Sequence, residues 1–116
     1  MTTLPLVQVC CAPLLEGPLS AQDASRLASL FKAVADPARL RLLSLIAAQP
    51  GGEACTCDLT EPVGLSQPTV SHHLKVLLDA GLLARDKRAQ WSYYRIVPEQ
   101  LAALRGALET PIGAAT

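Results

Sequence analysis

The chain is 116 residues long, 50% hydrophobic and 17% charged, with ten basic residues balanced by ten acidic ones. That length excludes a doubly wound dinucleotide fold or a β/α barrel, which need roughly 150 to 250 residues or more, and the apolar share excludes a disordered chain. One Trp, one Phe and two Tyr leave a core of Leu, Ala, Val and Ile, small enough that a dimer is favoured before any motif is read.

Residues 1–19 contain Pro5, Pro13, Gly17 and Pro18, show no helical period, and read as a flexible N-terminal arm carrying the pair Cys10-Cys11. The stretch Met1 to Leu15 holds no Lys or Arg, so the charged start of a signal peptide is missing. No apolar run reaches the roughly 18 residues of a membrane span. The expectation is a cytoplasmic protein without a membrane partner. Four Cys in that setting point to metal or redox chemistry rather than a disulfide framework.

Ser20 with Asp23 predicts a helix start, and Leu27, Leu30, Phe31 and Val34 give that helix an apolar face ending near Ala35. Asp36-Pro37 predicts a second start, with Leu40, Leu43, Ile46 and Ala47 as the buried stripe and Pro50-Gly51-Gly52 as the stop. A short helix is expected from about Ala54 to Pro62, then a turn at Gly64. Ser66 predicts the cap of a further helix, Gln67 to Ala80, whose core face is Val70, Leu74, Leu77 and Leu78, with Gly81 in the left-handed position after it. Leu82 to Arg85 and Trp91 to Val97 read as two strands around a basic tip, Asp86 to Gln90, with Trp91 as a packing residue. Pro98 opens a last helix with Leu101, Leu104 and Leu108 on one face, and residues 111–116 read as a frayed tail.

Helix, short helix, turn, helix, hairpin is the order of a winged helix-turn-helix, so the fold expected is mainly α with a small β-hairpin, occupying residues 20–110 and homodimeric. Ser66 to Ile96 holds five bases (Lys75, Arg85, Lys87, Arg88, Arg95) against two acids, a basic third on a neutral chain. That imbalance suits a polyanion. The residues expected to face DNA are Ser66, Gln67, Thr69, Val70, Ser71, His72 and Lys75, with Lys87 and Arg88 of the wing on phosphates. Val70 thus falls in both the core face and the DNA-facing set. Of the adjacent pair His72-His73, which cannot chelate one ion well from a helix, one is expected as a DNA-side donor and the other as a partly buried structural residue.

Three segments, FKAVADPARLRLL (Phe31 to Leu43), CTCDL (Cys55 to Leu59) and VGLSQPTVSHHLKVLLDAGLL (Val63 to Leu83), resemble the arsenic-repressor (ArsR/SmtB) family of metal-sensing bacterial repressors. The resemblance implies a homodimer on double-stranded operator DNA with an inverted repeat, released when a toxic metal or metalloid binds. It implies that the helix from Gln67 is the recognition helix and that the first and last helices form the dimer interface. Two recognition helices would sit about 34 Å apart, one DNA turn. The family's zinc site on the last helix uses Asp, His and Glu, and Glu99 to Glu109 contains no His and no Asp.

The sensor set expected is Cys10, Cys11, Cys55 and Cys57. Soft thiophilic ions select thiolate, so As(III) or Sb(III) on three sulfurs, or Cd(II), Pb(II) or Zn(II) on four, are the ligands to weigh; the metalloid is preferred. Residues two apart on a regular helix point about 200° apart, so Cys55 and Cys57 cannot share an ion from one. Either Gly51 to Ala54 holds the stretch unwound or only one of the pair ligates. A thiol redox switch on the same scaffold is the remaining alternative. No nucleophile-and-base pair, Gly-rich phosphate loop or Cys-x-x-Cys stands out, so no enzyme is expected.

Overall fold

The structure is a computed structural model and describes residues 14–110. Cys10, Cys11 and the tail lie outside the described residues. After a 3-10 turn, Leu14–Glu16, that buries nothing, the elements are α1 (Ala21–Val34), α2 (Pro37–Ala48), a second 3-10 turn (Pro50–Gly52), β1 (Glu53–Cys55), α3 (Thr56–Val63), α4 (Gln67–Asp79), β2 (Leu83–Arg88), β3 (Trp91–Ile96) and α5 (Pro98–Ala107). Among the described residues no helix is long and apolar enough to cross a membrane.

The helix starts follow from side chains that satisfy the orphan N–H groups. Ser20 Oγ accepts from Asp23 N at 3.0 Å before α1. Asp36 Oδ1 accepts from Ala38 N at 2.9 Å and Arg39 N at 3.2 Å before α2, where Pro37 has no N–H to lose. Gly64 ends α3 at φ 74°, a left-handed position. Arg41 closes the same helix end from α2, donating to the carbonyls of Pro62 at 2.9 Å and Val63 at 3.2 Å.

Two compact units divide the chain, one running through Phe31 and resuming at Pro98, the other Lys32–Val97. In the second, Leu42, Ile46, Leu59, Val70, Leu74, Leu77 and Leu82 are the largest fully buried side chains, each worth about 1.5 to 3 kcal/mol of burial. In the first, Leu27 and Leu30 of α1 and Gln100, Ala103, Leu104 and Ala107 of α5 are buried. 

Four expectations change. The short helix does not begin at Ala54: Glu53–Cys55 is a strand, antiparallel to β3 with Ala54 opposite Tyr94 and Cys55 opposite Tyr93. The sheet is therefore three-stranded, in the order β1-β3-β2. The hairpin is longer and its loop shorter, since Lys87 pairs Ser92 and Arg88 pairs Trp91. Only Ala89 and Gln90 turn the chain, Ala89 at φ 57°. The α2 stripe is rotated: Leu42, Leu43 and Ile46 are buried while Leu40 is 54% exposed, because at about 100° per residue Leu40 and Ala47 lie roughly 100 to 120° from that face's centre. On α5, likewise, Leu108 is exposed and Ala103 and Ala107 are buried.

Candidate thiol site and nucleic-acid interface

The α3 start is built differently from the others. Cys55, extended at φ −91° and ψ 168°, ends β1 and is the N-cap of α3; Cys57 lies in the first helical turn. The cap is supplied in reverse, by Asp58 Oδ2 accepting from the Cys55 N–H at 3.1 Å. The change from strand to helix between the two Cys folds their side chains together, and their sulfurs are joined as a disulfide. The Cys55 and Cys57 sulfurs and an Asp58 carboxylate oxygen lie within 4.8 Å of one another. Cys55 is buried and Cys57 exposed. Of the two alternatives for this CxC, the unwound one is the geometry present, through strand pairing of Glu53 to Cys55 rather than through glycine freedom alone.

Both cysteines line a cavity of about 280 Å³ with Thr56, Gln67, Ser71, Gln90, Trp91, Ser92 and Tyr94. Three walls meet there: the α3 start, the outward face of α4's first turns, and the β2–β3 hairpin. Trp91, 48% exposed, is a wall of this cavity more than a packing residue.

Helix α4 carries most of the residues expected on DNA. Ser66 caps it, accepting from Thr69 N at 3.4 Å and donating to Thr69 Oγ1 at 3.0 Å. Gln67, Thr69, Ser71, His72 and Lys75 are exposed. Val70 is not: it is fully buried and leaves the DNA-facing set, because its branched side chain sits on the Leu74 and Leu77 face. Lys75 reaches Asp79 at 3.1 Å, one turn on. The two His divide as expected, His72 exposed and His73 half-buried, their ring centroids 5.7 Å apart. Arg39 Nη1 lies 3.1 Å from His73 Nδ1; since guanidinium only donates, Nδ1 accepts. Arg39 also donates through Nε to Ala33 O at 2.6 Å, so the end of α1 and α4 share one arginine.

In the wing, Arg88 has partners that the sequence reading did not include. Its guanidinium makes a two-pronged bridge to Glu53, at 2.7 and 2.8 Å, and reaches Asp86 at 3.0 Å. It also lies 4.7 Å from the Tyr93 ring centroid. The Arg88 hydrogen bonds hold the Glu53 carboxyl below its usual range, and the Glu53 and Asp86 carboxylates raise the Arg88 pKa. Lys87, next to it, is exposed and has no carboxylate partner among the described residues. The strand role of Glu53, its bridge to Arg88 and the place of Arg39 were not foreseen. No local pattern signals the Glu53–Arg88 bridge or the Arg39–His73 contact, since each joins residues more than thirty apart along the chain.

A family profile described as "Bacterial regulatory protein, arsR family" matches residues 36–85. The chain is 47% identical over 70 residues to the "Arsenic resistance transcriptional regulator ArsR1" of Pseudomonas putida, a match covering 60% of this chain and 53% of that protein. It thus spans about half the length of that relative. It is 40% identical over 74 residues to the "Arsenical resistance operon repressor" of Bacillus subtilis, covering 64% of this chain and 69% of the other. The solved structure of the "AntR antimony-specific transcriptional repressor" superposes with a TM-score of 0.64 at 34% identity, over 79% of this chain and 83% of that one. The chain therefore belongs to the arsR family of bacterial regulatory proteins, whose matched relatives are named as transcriptional regulators and repressors.

Proposed function

We propose that this protein is a metalloid-responsive repressor of the cytoplasm, in which residues 20–110 form the DNA-binding domain, 1–19 a sensor arm and 111–116 a tail. It binds an inverted-repeat operator as a homodimer and leaves it when As(III) or Sb(III) binds cysteine thiolates. The observation that carries this reading is the shared cavity: Cys55 and Cys57 line it together with Gln67 and Ser71 of the helix read here as the recognition helix. The donor set fits a soft ion, with two sulfurs already convergent and Cys10 or Cys11 of the arm as the source of a third. As(III) with three thiolates is preferred to Cd(II), Pb(II) or Zn(II) with four. The arsenical-resistance and antimony-specific names of the relatives support that order.

Cys55 and Cys57 ligate only as thiolates, so a cellular thiol must first reduce their bond: two thiols give up two electrons and two protons and leave as a disulfide. Binding then releases protons from the cysteines and weakens as pH falls. Tying Cys55 and Cys57 to the arm fixes the α3 start against one side of the recognition helix. The ligand must favour that DNA-free geometry, since equal affinity for both forms shifts nothing. The bond between Cys55 and Cys57 favours one second reading, a repressor switched by thiol oxidation.

The test is fluorescence anisotropy of a duplex carrying an operator selected from random sequence. Reduced protein should release it on arsenite or antimonite, with X-ray absorption counting three sulfurs around arsenic. Four sulfurs around cadmium with no response to arsenite would reverse the ligand order. Release by peroxide but not by arsenite would establish the redox reading instead.

A further inference from the structure

We infer that Glu53 is an internal stand-in for DNA phosphate, holding Arg88 of the wing in the DNA-free protein and yielding it when duplex binds. A two-pronged guanidinium bridge is the geometry that Arg makes with phosphate as readily as with carboxylate. Here both prongs, at 2.7 and 2.8 Å, are spent on Glu53, and Nε is spent on Asp86 at 3.0 Å. The register places all of these on one face of the sheet: Asp86 is opposite Tyr93, Tyr93 is opposite Cys55, and Glu53 lies two residues before Cys55. Arg88 therefore lies across β3, over the Tyr93 ring, and reaches the far strand. The bridge is solvent-accessible, with the Arg88 side chain 48% and the Glu53 side chain 29% exposed. An exposed pair is weak enough to be exchanged.

The position of Glu53 gives the exchange a second consequence. It sits on the three-residue strand that ends in Cys55, so whatever fixes Cys55 also fixes the carboxylate that competes for the wing arginine. Lys87 has no such bridge among the described residues and is a wing base available to phosphate without that exchange.

The inference rests on the protein binding duplex, which wild-type protein and a random-sequence duplex establish first. Salt titrations of the reduced full-length protein on that duplex then separate the two questions. Each phosphate contact contributes about 0.9 to the slope of log K against log salt. Glu53→Gln should bind random duplex about 3- to 10-fold more tightly near 0.1 M salt with the slope unchanged, since Arg88 meets phosphate in both complexes, whereas Arg88→Ala should flatten the slope by about 0.9. Glu53→Ala should do the same, and adding either change to Arg88→Ala should alter nothing. Weaker binding by both Glu53 variants would overturn the inference, because that is what a bridge that merely holds the sheet together predicts; so would equal slopes in wild type and Arg88→Ala, which would show that Arg88 never reaches phosphate. Equal tightening in the presence and absence of Arg88 would also overturn it, since removing a negative charge would then be the whole effect.

Discussion

Two helices of the DNA-binding half start in contrasting ways. The start of α4 is local: Ser66 supplies the acceptor, Thr69 takes it, and Pro68 tolerates the first turn. The start of α3 is borrowed from elsewhere: Cys55 offers a sulfur where an oxygen usually caps, Asp58 covers the exposed N–H, and pairing with β3 holds the chain extended. A local start depends only on residues within its own first turn, whereas the start of α3 also depends on pairing with a distant strand. The helix proposed to meet DNA thus rests on the first kind and the cysteine pair on the second, and residues of both line one cavity.

The comparison breaks most completely at the floor common to both helices. Leu59 of α3 and Leu74 of α4 are fully buried, and Leu74→Ala or Leu59→Ala should cost about 2 to 5 kcal/mol of stability by urea unfolding. Both variants should lose operator binding and metalloid response together. Separate losses would show that the helices do not share one core.

Cys55→Ser and Cys57→Ser sharpen the contrast. Each should bind operator like the wild type yet lose the release that metalloid causes, a coupling of about 1 to 3 kcal/mol, or 5- to 150-fold. Cys10→Ser with Cys11→Ser should remove most of the same response. Ser66→Ala attacks the other start and should cost about 1 kcal/mol of stability, leaving the metalloid response in the remaining folded protein intact. Thermal unfolding with and without inducer checks both halves of that statement.

Acid reads a third start, that of α2. The backbone N–H of Arg39, opposed by partial desolvation and aided by Ala38 and the Arg39 charge, holds the Asp36 carboxyl below its ordinary value of 3.8. The cap's contribution is therefore complete above that value and fades as pH falls through the lower folded one. Asp36→Asn should flatten that part of the stability curve, which lies below about pH 4. The smallest change concerns the wing. Ala89 turns the hairpin at φ 57°, so Ala89→Gly should stabilise by about 0.5 to 1 kcal/mol and leave operator choice unchanged.

What was legible in the sequence follows the same division. Ser20, Asp36 and Ser66 announced their helices because each cap lies within three residues of the N–H it serves. The outer face of α4 was legible from period alone, except Val70, whose place on the Leu74 face decides against DNA. β1 was hidden because three residues carry no period, and its partner β3 begins 36 residues beyond its end. The hairpin loop was overestimated because the basic residues Lys87 and Arg88 look like loop while their backbones pair with Ser92 and Trp91. The bridge from Arg88 to Glu53 was not legible, since nothing near either residue in sequence predicts it. The CxC was legible as chemistry, and its geometry only through the strand.

The central claim is that Cys55 and Cys57 report to the recognition helix, and arsenite titration of the preformed operator complex tests it directly. With reduced wild-type protein the anisotropy should fall as operator affinity drops 5- to 150-fold, and the Cys55→Ser, Cys57→Ser double variant should stay on the DNA throughout. A double variant that still left the operator on adding arsenite would contradict the account.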